Sequence, residues 1–265
     1  MATSGDGRFA GDRLYYRWWV PSGLAQGHVV VSHGYAEHSG RYAHVAEALT
    51  DAGFAVWAAD HRGHGRSEGA RADIESVEAA ADDLRLFVEL VRGQGREGRP
   101  FLVGHSMGGL IATAFAERHQ DQLAGLALSG PLLHVAPEVV ALADLDEIPD
   151  LGLADAVSSD PAVVQAYKDD PLVYLGPPPR GFLRSAGQVE DVRAALGELT
   201  LPLLIMHGSA DLLVSPQALK DVVAGVSSQD LTARLWPGMW HEIFNEPGRA
   251  NVIAMLTNWI AERMN

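Results

Sequence analysis

The chain lacks cysteine altogether and has few basic residues. With no Cys among 265 residues, disulfides, thiolate nucleophiles, iron–sulfur clusters and Cys-ligated zinc are excluded. Only 20 Lys and Arg oppose 34 Asp and Glu, so the formal net charge is −14. Because a surface of that sign repels phosphate groups, we expect no nucleic-acid partner and no electrostatic attraction to an anionic lipid surface.

Long apolar runs are also missing from the sequence. The least polar stretch, residues 123–145, is interrupted by polar and proline residues such as Ser129 and Asp144, whereas a membrane helix needs about 20 consecutive apolar residues. Residues 1–12 lack the apolar segment of a secretory signal. We therefore predict a cytoplasmic protein with no signal peptide and no transmembrane segment.

The composition that remains is that of a globular chain, with 47% hydrophobic and 20% charged residues. Short apolar runs alternate with helical patterns, which is typical of a mostly parallel sheet flanked by helices and predicts an α/β fold. The predicted strands are residues 14–20, 28–32, 54–59, 101–104, 123–129, 203–207 and 231–236. The predicted helices are residues 42–52, 77–91, 107–118, 216–226 and 247–264.

One region interrupts the alternation of strands and helices. Residues 131–197 contain acid-rich helical fragments and the run Pro177-Pro178-Pro179, which must stay extended. We interpret residues 131–197 as a cap (lid) subdomain inserted into a core made of residues 1–130 and 198–265.

A candidate nucleophile lies in the motif Gly104-His105-Ser106-Met107-Gly108. The motif joins a predicted strand to a predicted helix, which is the context of a nucleophile elbow. The flanking glycines favour that interpretation, since the sharp turn leaves no room for a side chain there. The alternative is a serine that caps an ordinary helix after a strand.

A serine hydroxyl needs a histidine that accepts its proton and an acid that orients the histidine. Asp211 follows the predicted strand 203–207, and His241 follows the predicted strand 231–236. Both lie where parallel strands end, in the chain order Ser, acid, His. We therefore predict the catalytic triad Ser106, Asp211 and His241. Alone, Asp211 is equally a turn residue and His241 a structural histidine.

The negative charge of a tetrahedral intermediate requires backbone N–H donors. One donor is expected from Met107, the residue after the nucleophile. The other is expected from the loop after the strand 28–32, where we assign the N–H of Tyr35. The alternative for this loop is a simple turn at the end of a strand.

Together these segments resemble the monoglyceride lipase family of serine α/β-hydrolases, in particular its bacterial branch, nearly from end to end. The matching segments are residues 33–42 (HGYAEHSGRY), 60–67 (DHRGHGRS), 104–109 (GHSMGG), 207–211 (HGSAD) and 241–246 (HEIFNE), with residues 159–173 matching inside the cap. The resemblance implies the α/β-hydrolase fold and hydrolysis of monoacylglycerols to fatty acid and glycerol, with no cofactor. It also implies an apolar acyl tunnel in the cap and transient contact of the cap with a lipid surface.

Ala36, Glu37 and Arg41 lie in the first matching segment. The resemblance places Glu37 and Arg41 near the polar glycerol end of the substrate, whereas the sequence equally allows an ion pair that holds the oxyanion loop. The family usually has glycine where Ala36 stands. We therefore expect this loop to be less free to adopt a positive φ.

Other functions fit the sequence less well. Within enzymes, the alternative is a broad carboxylesterase or a lysophospholipase; outside them, it is a binding module on a hydrolase fold. The Gly63-His64-Gly65 segment lacks the third glycine of a dinucleotide site. No pattern of metal ligands joins the histidines, so we expect no metal and assign hydrogen bonding in the loops to His33, His38, His44, His61 and His64.

Overall fold

A computed structural model describes residues 2–94 and 98–264. The predicted core also includes residues 1, 95–97 and 265, which lie outside the described part of the chain. The described residues form an eight-stranded sheet of order β1-β2-β4-β3-β5-β6-β7-β8. Its strands are β1 (Thr3–Phe9), β2 (Leu14–Val20), β3 (His28–Ser32), β4 (Ala55–Ala59), β5 (Phe101–His105), β6 (Gly125–Ser129), β7 (Leu203–Gly208) and β8 (Leu231–Trp236).

Helices cover both faces of this sheet. The α-helices are α1 (Ala43–Asp51), α2 (Val77–Arg92), α3 (Met107–His119), α4 (Pro137–Ala141), α5 (Pro161–Asp169), α6 (Arg180–Ala186), α7 (Val189–Ala194), α8 (Gln217–Gly225) and α9 (Arg249–Ala261). Short 3-10 helices span Ser39–Tyr42, Gln120–Gln122, Leu142–Asp144, Leu153–Ala156 and Leu196–Glu198. Helices α1 and α9 pack on one face, and α2, α3, α7 and α8 pack on the other.

The predicted α/β fold with a mostly parallel sheet is confirmed. Strands β3 to β8 pair in parallel, and β2 pairs antiparallel with β1 and β4. Strands β3 to β7 are buried on both faces. Strand β8 is an edge strand with exposed residues at its centre.

Strand β1 is not predicted by the sequence. Its sequence, TSGDGRF, contains two glycines and no alternating apolar residues, so nothing in it favours a strand. The pairing with β2 explains the glycines: a Cβ on Gly5 would lie 2.5 Å from the Trp18 ring, and one on Gly7 would lie 2.6 Å from the Tyr16 hydroxyl. The aromatic side chains of β2 therefore cover the glycines of β1.

The segment between β6 and β7 contains α4 to α7. Residues 130–202, all of which the structure describes, include no strand. Pro179 is extended at φ −60° and ψ 150°, as expected for a proline run. In the described ranges, no helix is both long and apolar enough to span a membrane. The limits of the cap at residues 131 and 197 stay a prediction.

Three buried histidines lie where β3 and β4 end. The His33 Nδ1 donates to the Gly34 carbonyl at 2.8 Å, and its Nε2 accepts the His61 backbone N–H at 2.9 Å. The His64 Nδ1 donates to the Arg62 carbonyl at 2.9 Å. Because burial disfavours the charged imidazolium, the pKa of His33 falls to about 4 and that of His64 to about 3. Both are therefore neutral near pH 7.

We expect the free energy of unfolding to fall as the pH drops from about 6.5 toward 4. In this range His33 and His64 bind protons in the unfolded chain but not in the folded protein. The stability that they contribute is therefore fully present above the unfolded pKa of about 6.5 and is lost as the pH falls below it. Each such histidine adds a slope of about 1.4 kcal/mol per pH unit. Urea unfolding at a series of pH values measures this slope.

The control is the His64→Gln variant, measured in parallel. Between pH 6 and 5, the free energy of unfolding of this variant should change less steeply with pH, by about 1.4 kcal/mol per pH unit. Between pH 7 and 8 the two proteins should show equal slopes. Equal slopes at acid pH as well would contradict the assignment.

Candidate active site

Ser106 lies at a sharp turn between β5 and α3. Its backbone is at φ 52° and ψ −120°, a region that non-glycine residues rarely adopt. Close packing around the turn explains the neighbouring glycine, because a Cβ on Gly108 would lie 2.1 Å from the Ser32 carbonyl oxygen. The structure thus has the strained strand–turn–helix geometry that a nucleophile elbow requires.

The loop that follows β3 lies against this turn. A Cβ on Gly34 would be 3.3 Å from the Ser106 Cβ, so the backbone that leads into Tyr35 passes beside the serine. Met107 is the first residue of α3. Tyr35 and Met107, the two residues predicted to donate to an oxyanion, therefore come from elements that pack together at Ser106.

Asp211 and His241 lie together at the carboxyl ends of β7 and β8. The His241 Nδ1 is 2.7 Å from the Asp211 Oδ2, and both side chains are buried. His241 and Ser106 line the same cavity. The structure therefore brings the three predicted residues of the triad to one end of the sheet.

Further donors fix the Asp211 carboxylate. Its Oδ1 accepts the backbone N–H groups of Leu213 at 2.8 Å and Val214 at 2.9 Å. The His207 Nε2 lies 3.0 Å from its Oδ2 and donates to the Val214 carbonyl at 3.0 Å. Burial alone would raise the pKa of Asp211, but the charge of His241 and these hydrogen bonds hold it below its ordinary value. The carboxylate is therefore ionised near pH 7. The sequence analysis did not identify His207 as a partner.

The environment of His241 favours its protonated form. Burial lowers the pKa of this imidazole, but the charge and hydrogen bond of Asp211 raise it by more than burial lowers it. The net pKa therefore lies above the ordinary 6.5. The ring of His105 lies 4.8 Å from that of His241. Burial and the His241 charge lower the pKa of His105 to about 4, so His105 is a neutral neighbour.

Glu37 and Arg41 form a buried ion pair at 2.7 Å. The other Glu37 oxygen, Oε1, accepts the Gly34 N–H at 2.6 Å and the Tyr42 hydroxyl at 2.7 Å. Arg41 also makes a bidentate pair with Glu242 at 2.5 and 2.7 Å. These are the contacts of an ion pair that holds the loop after β3.

Glu242 is a residue that the sequence analysis left without a role. It directly follows His241, and Asn245 donates to it at 2.8 Å. Burial would raise the pKa of Glu242, but Arg41 lowers it below its ordinary value. The Arg41 guanidinium carbon also lies 4.6 Å from the centre of the Tyr167 ring, which belongs to α5. Arg41 thus joins three separate segments of the chain.

Ala36 lies in the same loop after β3. Despite its Cβ, it has a φ of 65°, so the loop adopts the left-handed conformation for which glycine is better suited. This conformation costs a non-glycine residue about 1 kcal/mol and persists where neighbours hold it. Here the Ala36 carbonyl accepts the Tyr174 N–H at 2.9 Å, and the next residue, Glu37, is fixed by Arg41.

A cavity of about 360 Å³ opens above Ser106. At its base lie polar residues, among them Glu37, His241 and Glu242. The rest of its wall is largely apolar and comes from the segment between β6 and β7 and from the loop after β7: Leu132, Val135, Val139, Leu151, Leu153, Val157, Phe182, Leu183, Ala186, Leu213 and Val214. An extended apolar group attached to a polar end fits this lining.

Glu246 is a further residue that the sequence analysis did not identify. Its carboxylate accepts hydrogen bonds from the Ser158 hydroxyl at 2.6 Å, from the N–H and hydroxyl of Ser159 at 2.6 and 2.8 Å, and from the Trp240 N–H at 3.1 Å. Glu246 therefore ties the predicted cap to the loop that carries His241. Among the described side chains, no group of three or more His, Asp or Glu is arranged to hold a metal.

The sheet is mostly parallel, a serine lies at the elbow after β5, and a His–Asp pair lies at the ends of two later strands. Together these features define the α/β-hydrolase class. Comparisons with known proteins agree. The family described as serine aminopeptidase, S33 matches residues 23–248. The chain is also 40% identical to a monoacylglycerol lipase of Mycolicibacterium smegmatis, with 96% of this chain and 95% of the relative covered.

Similarity extends to a human protein and to a solved structure. Human monoglyceride lipase is 33% identical over 96% of this chain and 88% of its own length. The crystal structure of Paleococcus ferrophilus monoacylglycerol lipase superposes with a TM-score of 0.81 at 28% identity and covers 99% of both chains. The chain therefore belongs to the monoglyceride lipase family, as the sequence analysis predicted.

We expect kcat/KM to fall on the acid side with a midpoint above pH 6.5. Proton transfer from Ser106 needs neutral His241, and Asp211 holds the pKa of His241 above its ordinary value. A pH profile of ester hydrolysis measures the midpoint. In Asp211→Asn the midpoint should move down and kcat should fall by about 10⁴-fold. An acid limb that does not move in this variant would contradict the assigned pair.

Proposed function

We propose that the protein hydrolyses monoacylglycerols to fatty acid and glycerol through an acyl-enzyme on Ser106. The observation that carries this proposal is the shared cavity, in which Ser106 and the Asp211-bound His241 lie at the base of an apolar wall. The relatives support the substrate class, since the proteins at 40% and 33% identity are named monoacylglycerol and monoglyceride lipases.

In the first step, the Ser106 hydroxyl oxygen attacks the ester carbonyl carbon while His241 accepts its proton. The carbonyl oxygen takes up the electron pair and becomes an oxyanion. The N–H groups of Tyr35 and Met107 donate to that oxyanion. Asp211 orients His241 and stabilises its positive charge. As the tetrahedral intermediate collapses, His241 returns the proton to the glycerol oxygen, and glycerol leaves.

In the second step, water replaces glycerol. His241 accepts a proton from water while the hydroxide oxygen attacks the acyl carbon. The same two N–H groups stabilise the second oxyanion, and His241 then protonates the departing Ser106 oxygen. The products are the fatty acid and the free enzyme. This sequence requires no cofactor.

The two ends of the substrate meet different surroundings. The acyl chain suits the apolar wall, which buries methylene groups at a gain of about 0.8 kcal/mol each. The polar end suits the base of the cavity beside Glu37 and Glu242. Because both carboxylates already accept from Arg41, we assign Glu37 and Arg41 the role of positioning residues that hold the oxyanion loop.

The surroundings of the enzyme are part of the same proposal. We propose that residues 131–197 act as a cap, that the cap makes transient contact with a lipid surface, and that the protein is cytoplasmic and peripheral to membranes. The names of the relatives, which are lipases, support the lipid contact.

The test is a comparison of initial hydrolysis rates for mono-, di- and triacylglycerols and for simple esters of several chain lengths. We expect monoacylglycerols to be hydrolysed fastest. In Ser106→Ala, hydrolysis should fall by at least about 10³-fold, because the nucleophile is gone, with the melting temperature nearly unchanged. Ser4→Ala, at an exposed position in β1, is the matched control and should keep the parent rates.

Other outcomes would favour the alternatives. Fastest turnover of short simple esters would indicate a general carboxylesterase, and preference for lysophospholipids a lysophospholipase. Ester turnover that is the same in Ser106→Ala as in the parent would overturn the role of Ser106. No turnover of any ester would favour a binding module.

A further inference from the structure

The core holds one part of the loop at residues 33–37. The His33 Nδ1 donates to the Gly34 carbonyl at 2.8 Å, and the Gly34 N–H donates to Glu37 at 2.6 Å. These contacts fix the backbone just before Tyr35 and the side chain just after Ala36. They leave the Tyr35 ring and the Ala36 carbonyl to other partners.

Those partners come from the segment between β6 and β7. The Phe182 ring of α6 stacks on the Tyr35 ring, with 3.8 Å between the ring centres and an angle of 23° between the planes. The Tyr174 N–H donates to the Ala36 carbonyl at 2.9 Å. Two consecutive residues of the loop are thus in contact with the predicted cap, while the Tyr35 ring also lies edge-on to the His64 ring of the core, with 6.0 Å between the ring centres.

The position of Phe182 depends on the position of that segment. Its side chain is buried and lines the cavity above Ser106. Two positions earlier in α6, the Arg180 guanidinium donates to the carbonyls of Ala143 at 2.5 Å and Asp146 at 2.8 Å. Helix α6 is therefore tied to residues near the beginning of the same segment, and a displacement of that segment would carry Phe182 away from Tyr35.

We propose that Phe182 is a positioning residue: its stack on Tyr35 holds the Tyr35 N–H where the oxyanion forms. The inference rests on the proposed role of that N–H. It adds that the seating of the cap completes the oxyanion hole, so that the cap controls the chemical step as well as binding of the acyl chain. Loss of the stack should then slow even a substrate too short to reach the cap.

The test uses p-nitrophenyl acetate, whose acyl group is a single acetyl. Phe182→Leu removes the ring but keeps an apolar side chain. We expect its kcat to fall by about 10- to 100-fold, since misplacing a catalytic group by about 1 Å costs up to about 10²-fold. Phe182→Tyr keeps the ring and should restore most of the rate. A residue that only forms the cavity wall would change KM for long monoacylglycerols and leave kcat for the acetate ester unchanged.

A second readout tests the oxyanion hole directly. An alkyl trifluoromethyl ketone adds the Ser106 oxygen to its carbonyl carbon and places the resulting oxyanion in the hole, so it resembles the transition state. Its inhibition constant should rise in Phe182→Leu in proportion to the loss of kcat/KM. The acid midpoint of the pH profile should stay unchanged, because His241 and Asp211 are untouched.

The control variant is Glu147→Ala, which alters an exposed residue of the same segment and should keep the parent kcat. Melting temperatures of all variants show which of them are folded. In case Phe182→Leu is unfolded, the reciprocal variant Tyr35→Leu removes the same stack from the other side. When both fold, the double variant should lose no more than either single variant, since the two share one interaction.

The outcomes separate this inference from the proposed function. An unchanged kcat and ketone affinity in folded Phe182→Leu, or losses that add in the double variant, would overturn the positioning role while the parent enzyme remains active. Absence of Ser106-dependent turnover in the parent would overturn the proposed function and, with it, this inference. A parallel loss that Phe182→Tyr restores would establish the positioning role.

Discussion

The buried guanidinium of Arg41 is the constraint on which the active-site end of the molecule depends. It binds Glu37, whose carboxylate accepts the Gly34 N–H in the loop after β3, and Glu242, which directly follows His241. It also lies over the Tyr167 ring of α5. Removing one member of such a buried group leaves a charge without its partner and costs about 3–5 kcal/mol. Two carboxylates on one guanidinium also leave a net negative charge, which contributes to the raised pKa of His241. One cluster thus holds the loops and favours the imidazolium that catalysis requires.

Sequence reasoning succeeded where a single segment carried its own signal. The five central strands are buried on both faces, so each appears in the sequence as a continuous apolar run. The hydrophobic stripe of α9 could likewise be predicted, and Val252, Leu256, Trp259 and Ile260 are all buried. Strand β1 has no such signal, because its glycines are explained only by the aromatic rings of β2 that cover them. A pattern that depends on a partner strand is invisible until the pairing is known.

The same distinction applies to the site. The positions of Ser106, Asp211 and His241 could be predicted because each follows a recognisable strand and parallel strands end at a common edge. The pair of Arg41 with Glu242 could not, since it joins residues 201 positions apart and either side chain alone is typical of a solvated surface. Glu246 is similar, because its role depends on two serines of a distant segment. Residues that organise a site are harder to find than residues that react, since their chemistry is ordinary and only their burial is unusual.

The strained backbone connects these observations. Ser106 and Ala36 both have a positive φ, and each conformation is maintained by neighbours rather than by its own preference. Ser106 is held by the close packing of α3 against β3 in the core, and its carbonyl also accepts the N–H of Leu132, three residues after β6, at 2.9 Å. Ala36 is held between Glu37 on the core side and Tyr174 on the side of the predicted cap. The backbone at Ser106 therefore depends mainly on the core, whereas the loop after β3 depends in addition on how the segment above it is seated. An alanine at this position makes the dependence stronger than a glycine would, because the left-handed conformation then requires an external hold.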